Sequence, residues 1–440
     1  MMKDRDRILR AAGRILDRNT PTIEREGLEA FVDSFIQRRE RYLELTRDHG
    51  SPLYVFEPGV LRERAARFIE VFSGRLPEIA VFYAVKSNNY PGVARTLVEC
   101  GLGLDVSSGL ELSMALECGA ETIVFSGPGK TGEELEWASK HHDRVTVLVD
   151  SFGELAALER VAADAGKTVK AGVRLTTDER GLWRKFGIPL EELPRFLELC
   201  RDCSHVLLAG LQFHTSWNLN PENQVRFIAR LGEILRRLSP EQRELIEFID
   251  IGGGFWPPQG EWLQDAGTPE GRLRAIIRIS TDPEPLSLDH FLLPAAPLEE
   301  FADRIGDAVR EHLLAQLNCR IYLEPGRWLC NDAMHLLLTV VDKKAEDLVI
   351  TDGGMNAVGW ERFEFDYFPV INLSHPELVE RECCLMGSLC TPHDLWGYGY
   401  FGRDIQPGDV LLIPTQGAYT YSLRQEFIKP LPKVITLENS

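Results

Sequence analysis

The sequence predicts a (β/α)8 barrel with an additional C-terminal β domain, and three observations carry that expectation. Eight short β-branched or aromatic runs alternate with helical stretches between residues 79 and 324, the order that spells a closed parallel barrel. Residues with catalytic chemistry fall at the carboxyl ends of those runs, where barrels of this kind place their sites. From about residue 333 the pattern changes to strands without regular intervening helices.

Residues 1–50 read as a helical extension packed on the main body. Ile8, Leu9, Ala12, Ile15 and Leu16 recur at helical spacing, and Thr20-Pro21 offers a cap and first-turn proline for a second helix. SPLYVFE at 51–57 is a strand contributed to the β domain, and a helical pattern follows to about residue 74. The barrel domain spans 58–332. Its strands are expected at IAVFYAV (79–85), LGLDV (102–106), TIVFS (122–126), VTVLV (145–149), VKAGVRL (169–175), LLAGLQF (207–213), IEFIDI (246–251) and RIYLE (320–324). The stretch 255–296, rich in Pro and Gly, is too long for a usual βα loop and reads as an insertion near the active-site mouth. The β domain, 333–440, is expected to hold strands at MHLLLTVV, DLVITD, DVLLIP, GAYTYSL and KVITL.

Composition narrows the function classes. A chain of 440 residues, 44% hydrophobic and 26% charged, has the balance of a folded globular protein rather than a disordered one. Its formal charge of -18 repels nucleic acid and anionic membrane, so neither is an expected partner. The N-terminus alternates charges and lacks the apolar stretch of a secretory signal, which makes a cytoplasmic location the expectation. Nine scattered cysteines argue for reduced thiols, and no metal is expected. Cys200 and Cys203 form a single CxxC without a second ligand pair, so they read as a helix turn. Cys383 and Cys384 alternate across a strand and need share no site.

Lys86 ends the first barrel run, where an apolar neighbourhood would lower its pKa and favour imine formation with an aldehyde. Taken alone, a lysine there is a solvated strand end. Asp105 lies near the end of the second run and Arg174 near the end of the fifth; the arginine faces either a ring edge or a rim salt bridge. His214 follows the sixth, where an imidazole can stack on a flat ring or be a satisfied core histidine. Gly252, Gly253 and Gly254 follow the seventh and let backbone N–H groups approach a phosphate, a tight turn being the competing reading. Glu324 ends the eighth, with Gly326 and Arg327 just beyond it, a carboxylate and an anion-holding turn or else a surface ion pair.

The segments VFYAVKSNN, LDVSSGLE, FSGPGK, DIGGGF, EPGRW, GSLCTPHD and GAYTYS occur in the order and spacing of fold-type III pyridoxal-phosphate (PLP) decarboxylases. From about 51 to 430 the chain resembles that ornithine/diaminopimelate decarboxylase family, which shares its two-domain fold with alanine racemase. The resemblance implies PLP as cofactor, Lys86 as its Schiff-base lysine, His214 as the ring-stacking residue and Glu324 as the pyridinium partner. It implies Gly252, Gly253, Gly254 and Tyr419 for the phosphate. Cys390 resembles the catalytic cysteine that enters from the second subunit of a head-to-tail dimer, so a homodimer with shared sites is expected.

The substrate end departs from the family pattern. Its HVGS is replaced by His214-Thr215-Ser216-Trp217, and Trp217 is expected to narrow the pocket. Thr391 stands where the best-known members carry a carboxylate, and FDYFPVINLSHP lacks their distal arginine. Asp366 and Asp394 are the remaining candidates for substrate contact. FSGPGK, DGGM and LCTPHD resemble decarboxylases of secondary metabolism, including glutamyl-carrier-protein decarboxylases. The expected activity is thus decarboxylation of an amino acid or amino-acid conjugate, free or carried on a carrier protein. The alternatives are a PLP-dependent racemase or epimerase, and a non-catalytic PLP- or carrier-protein-binding protein.

Overall fold

The computed structural model describes residues 2–278, 288–359 and 363–438. It divides into a barrel unit, residues 58–258 and 295–330, and a β unit, residues 1–57, 259–294 and 331–440.

The barrel unit closes through eight parallel strands: β1 (Ile79–Ala84), β2 (Gly103–Val106), β3 (Ile123–Phe125), β4 (Val145–Val149), β5 (Val169–Leu175), β6 (Val206–Phe213), β7 (Phe248–Asp250) and β8 (Arg320–Leu323). All eight expected runs are strands. Closure is the pairing of β8 with β1, Ile321 opposite Ile79. Because side chains alternate with period two, one face of each strand carries an apolar residue and then, two positions on, a polar one. Val124 precedes Ser126, Leu148 precedes Asp150, Phe248 precedes Asp250, and Tyr322 precedes Glu324. Phe82, Val124, Leu148, Ala209 and Phe248 form one core cluster, and Phe248 stacks on Tyr322 with ring centroids 4.4 Å apart. A layer of polar side chains is thereby held at the carboxyl ends above an apolar plug. The helices after β2, β3 and β4 start at Ser108, Thr131 and Ser151, whose hydroxyls each accept a backbone N–H of the first turn.

The β unit is built on an eight-stranded sheet in the order Leu348–Thr351, Glu380–Met386, Leu395–Phe401, Ile371–Asn372, Val410–Ile413, Met334–Ala345, Leu53–Phe56, Lys433–Thr436. The early strand Leu53–Phe56 pairs antiparallel with Met334–Ala345 and parallel with Lys433–Thr436. Two long strands fell outside the expected set, Glu380–Met386, of which only Cys383 and Cys384 were placed on a strand, and Leu395–Phe401, besides the short Ile371–Asn372. The first is dominated by charged and sulfur side chains and the second interrupted by glycines, so neither shows an apolar alternation. GAYTYSL, expected as a strand, is instead a turn ending in the 3-10 segment Tyr421–Leu423. Tyr419 has φ +61°, a left-handed backbone that cannot continue a strand.

The helical reading of residues 1–50 is matched by helices Met2–Leu16, Arg25–Ile36 and Arg39–His49. Thr20-Pro21 does not open the second helix, which begins at Arg25. The Pro21 carbonyl accepts the Leu292 N–H, and Thr22 bridges Phe291, so this stretch pairs like a strand. Residues 259–294, read from sequence as an insertion in the barrel domain, group with the β unit. Residues 279–287 of that insertion lie outside the described residues.

Candidate active site

The polar layer of the barrel unit brings together Lys86, Asp105, Arg174, His214, the three glycines and Glu324. Lys86 follows β1 in the short turn Val85–Ser87, and its Nζ donates to Asp105 Oδ2 at 2.8 Å. The lysine side chain is 36% exposed while Asp105 is fully buried, so the amine faces open space from a fixed anchor. Ser126 Oγ donates to the other oxygen of Asp105. Arg174 Nη1 donates to the Ser126 carbonyl at 3.3 Å, its Nε lies 3.9 Å from Asp150 Oδ1, and its guanidinium covers Phe186 at 4.3 Å. These contacts tie the ends of β1 to β5 into one network.

On the opposite side of the barrel, Gly253 N–H donates to His214 Nδ1 at 3.1 Å. Burial lowers the His214 pKa, against the raising effect of the Glu324 carboxylate. Glu324, buried at the end of β8, accepts from Gln212 Nε2 at 3.3 Å, and its Oε2 lies 3.7 Å from His214 Nδ1. Burial would raise the Glu324 carboxyl, yet hydrogen bonding with His214 and the charges of Lys86 and His214 outweigh it and hold the group at about 2. Asp250 goes the other way: burial and the Glu324 charge push it well above the ordinary value. Asp105 is pushed up to about 6 by burial and by Glu324, against the pull of Lys86. Three buried carboxyls thus divide their roles, with Glu324 the anion and Asp250 the acid.

The triple glycine is required by close backbone approach. A Cβ at Gly253 would overlap the Glu324 carbonyl oxygen, and one at Gly254, where φ is +81°, would overlap the Thr215 carbonyl. Gly252 N–H donates to Asp250 Oδ1 at 2.8 Å and Gly253 N–H to His214, so two of the three amides already have partners. Gly326 lies in the turn after β8, and Arg327 stacks on Trp256 at 4.4 Å.

Several residues of this layer carried no assignment from sequence: Ser126, Asp150, Gln212 and Asp250. The strand-end position that singled out Lys86 also marks Ser126 after β3, Asp150 after β4 and Asp250 at the end of β7. Lys130 of FSGPGK is another. Its side chain is fully buried and Nζ donates to Gly127 O, Leu148 O and Glu154 Oε1 at 2.6, 2.8 and 2.7 Å. Every donor of that ammonium is engaged, which makes Lys130 a brace between the ends of β3 and β4.

The other sequence candidates belong to the β unit. Cys390 is exposed and Thr391 half-buried in the loop after Glu380–Met386. Asp394, expected to touch substrate, is fully buried, with both carboxylate oxygens accepting backbone N–H groups, of Met355 and Leu389, each at 2.6 Å. It is a clamp on the Cys390 loop, because its acceptors face inward. Asp366 is buried and bridges Leu263, and Tyr419 is partly exposed.

Comparison with known proteins places the chain in a family. The family described as pyridoxal-dependent decarboxylase, pyridoxal binding domain, matches residues 61–331. The chain is 28% identical to the diaminopimelate decarboxylase of Bacillus subtilis over 90% of its length and 89% of that protein. It is 25% identical to the decarboxylase of the L-glutamyl-BtrI acyl-carrier protein from Niallia circulans, over 86% of each chain. The crystal structure of the M. jannaschii diaminopimelate decarboxylase in complex with L-lysine shares the fold with a TM-score of 0.75 at 24% identity, covering 90% of this chain and 89% of that one.

Proposed function

The chain belongs to the pyridoxal-dependent decarboxylases, and from that premise we propose that it decarboxylates an amino acid or amino-acid conjugate at the barrel site, with Lys86 carrying the cofactor. The donor set suits PLP: an amine beside a carboxyl that can take its proton, a buried carboxylate, a buried imidazole and a turn of three glycines. Bound PLP would supply an electron-accepting ring that stabilises the charge left at Cα when the carboxylate departs. Glu324, held ionised, would keep a proton on the ring nitrogen. His214, fixed by Gly253, would stack on the ring as the resemblance implies. Asp105, 2.8 Å from Nζ, would hold and return a Lys86 proton. Arg174 orients the Asp105 side through Ser126. Gly252, Gly253, Gly254, Gly326, Arg327 and Tyr419 are assigned to the phosphate by resemblance. The single observation that carries the reading is the buried Glu324, 3.7 Å from His214, in one polar layer with the Lys86–Asp105 pair.

A homodimer belongs to the same proposal, with the partner subunit's Cys390 returning a proton to Cα. The exposure of this thiol on a clamped loop supports it. Among the described residues no helix is long and apolar enough to cross a membrane. For substrate, Thr391 and the inward-facing Asp394 leave no carboxylate from this loop to meet a distal amine. An amino acid with an acidic or carrier-linked far end fits better, as the Niallia circulans relative's substrate does.

The test is a screen of free amino acids and aminoacyl carrier proteins for carbon dioxide release by the PLP-loaded protein. Release from one of them, lost in Lys86→Ala, is expected. Inversion at Cα without gas would replace decarboxylation by racemisation.

A further inference from the structure

A cavity of about 450 Å3 opens in the barrel unit beside His214. Its walls come from three places: the segment after β5, the segment after β6, and the helix Glu222–Leu235. Both strand segments emerge at the carboxyl end of the barrel, the same end as the polar layer. Thr177 in the wall donates its hydroxyl to the His214 carbonyl at 3.2 Å, and Thr215 in the wall is the next residue in the chain. The cavity therefore shares its floor with the segment that carries the ring-facing histidine.

The lining combines aromatic faces with cationic ends. Trp183 and Trp217 remain 38% and 53% exposed, while Phe227 beneath them is buried. Trp217 is held at φ +52°, a conformation unfavourable for a bulky residue. Its neighbour fixes it there: Asn218 N–H donates to Gly254 O at 3.0 Å, and Asn218 Nδ2 donates to Thr215 Oγ1 at 2.8 Å. The left-handed backbone thus sets the half-exposed Trp217 side chain in the cavity wall.

Arg226 and Arg230 stand one turn apart on one face of that helix. Arg226 makes no ion pair with any described acidic side chain, and Arg230 reaches Glu179 and Glu191 only at 3.9 Å, loose contacts between exposed groups. Asp178 is the one acidic residue in the lining. Arg230 is thus shared with Glu179 and Glu191, and Arg226 is the lining cation with no ion pair to a described acidic side chain, placed to meet a bound anion.

We propose that this cavity is the subsite for the far end of the substrate, taking an apolar chain between Trp183, Trp217 and Phe227 and closing on a terminal anion, carboxylate or phosphate, with Arg226 and Arg230. The proposal rests on the decarboxylase reading for what lies at the near end. It supplies the distal contact that the Thr391 loop does not.

Calorimetric titration of the PLP-loaded protein with two probes tests it: glutarate, for a free acidic amino acid, and 4′-phosphopantetheine, for the arm of a carrier protein. The wild type binds at least one of them. The double variant Arg226→Ala/Arg230→Ala weakens that binding about tenfold or more, and Arg226→Lys/Arg230→Lys restores part of it. The PLP absorbance band stays unchanged in both variants, which shows that the barrel is intact. Binding of glutarate alone identifies a free acidic substrate, and of 4′-phosphopantetheine alone a tethered one. Absence of binding by either probe, or equal binding by the alanine variant, overturns the proposal; retained gas release in that case leaves the decarboxylase reading standing. Probe binding without gas release from any substrate sinks the decarboxylase reading instead.

Discussion

At the residue scale the site depends on how three buried carboxyls share protons. Asp105, raised to about 6 by burial and by Glu324, binds a proton more readily folded than unfolded between about pH 4 and 6. Its contribution to stability is present below pH 4 and fades as pH rises through that window, by about 3 kcal/mol. Glu324, lowered to about 2, does the opposite: its contribution is full above about pH 4.5 and fades toward pH 2. Asp105→Asn should therefore flatten the pH dependence between 4 and 6, read as a melting-temperature difference from wild type that changes with pH in that range and levels off above it. A constant difference across the range would contradict the assignment. Single residues such as Lys86 and Glu324 were legible because strand-end position and residue type coincide. Asp250 and Asp150 met the same criterion but lay beside stronger features, the triple glycine and an ordinary helix cap. The protonation states were not legible, since they arise from groups brought together from β1, β2, β6, β7 and β8.

At the scale of elements, the eight barrel strands were readable because they are largely buried runs rich in β-branched and aromatic residues, three of them followed by a capped helix start. Strands of the β unit were readable only where they run apolar, as in Met334–Ala345 and Val410–Ile413. The hairpin-like pair Glu261–Leu263 and Phe291–Leu293 joins segments 28 residues apart, a pairing that no local pattern announces. The Cys390 loop shows how an element is held by one side chain. Asp394→Ala would leave the Met355 and Leu389 N–H groups without acceptors in a buried setting, a loss of about 2–4 kcal/mol. Denaturant unfolding should show that loss, and Cys390 should alkylate faster. Unchanged stability and alkylation would mean the loop is fixed by other contacts.

At the scale of the whole molecule, the first fifty residues belong to the core of the β unit. Leu28, Val32, Phe35 and Tyr42 are buried in one cluster with Leu53, Val55, Leu337 and Ile371. Glu57, at 1% exposure, accepts from Tyr42 Oη at 2.5 Å and Arg38 Nη1 at 2.7 Å, and lies 3.2 Å from His335 Nε2. The extension also grips residues 259–294, through Thr20 N–H to Glu270 at 2.9 Å, Ile23 N–H to the His290 carbonyl at 2.8 Å, and an edge contact of Phe31 with Trp262. Each large buried side chain removed costs about 2–4 kcal/mol, so deleting residues 1–50 removes an amount comparable to the whole stability of a domain. The shortened chain should lose the cooperative unfolding transition of the β unit or fail to remain in solution. A truncated protein with unaltered melting behaviour would refute this role. The helices were legible in sequence, whereas their anchorage was not, because it depends on Glu57 and on a segment more than two hundred residues away.

The central claim is that Lys86 carries the cofactor in a site polarised by Glu324. Borohydride reduction of the purified PLP-loaded protein, followed by mass mapping of its peptides, tests it most directly. The account predicts a reduced phosphopyridoxyl mass on the peptide containing Lys86 and its absence in Lys86→Ala. An unmodified Lys86, with the added mass on Lys130 or any other lysine, would contradict it.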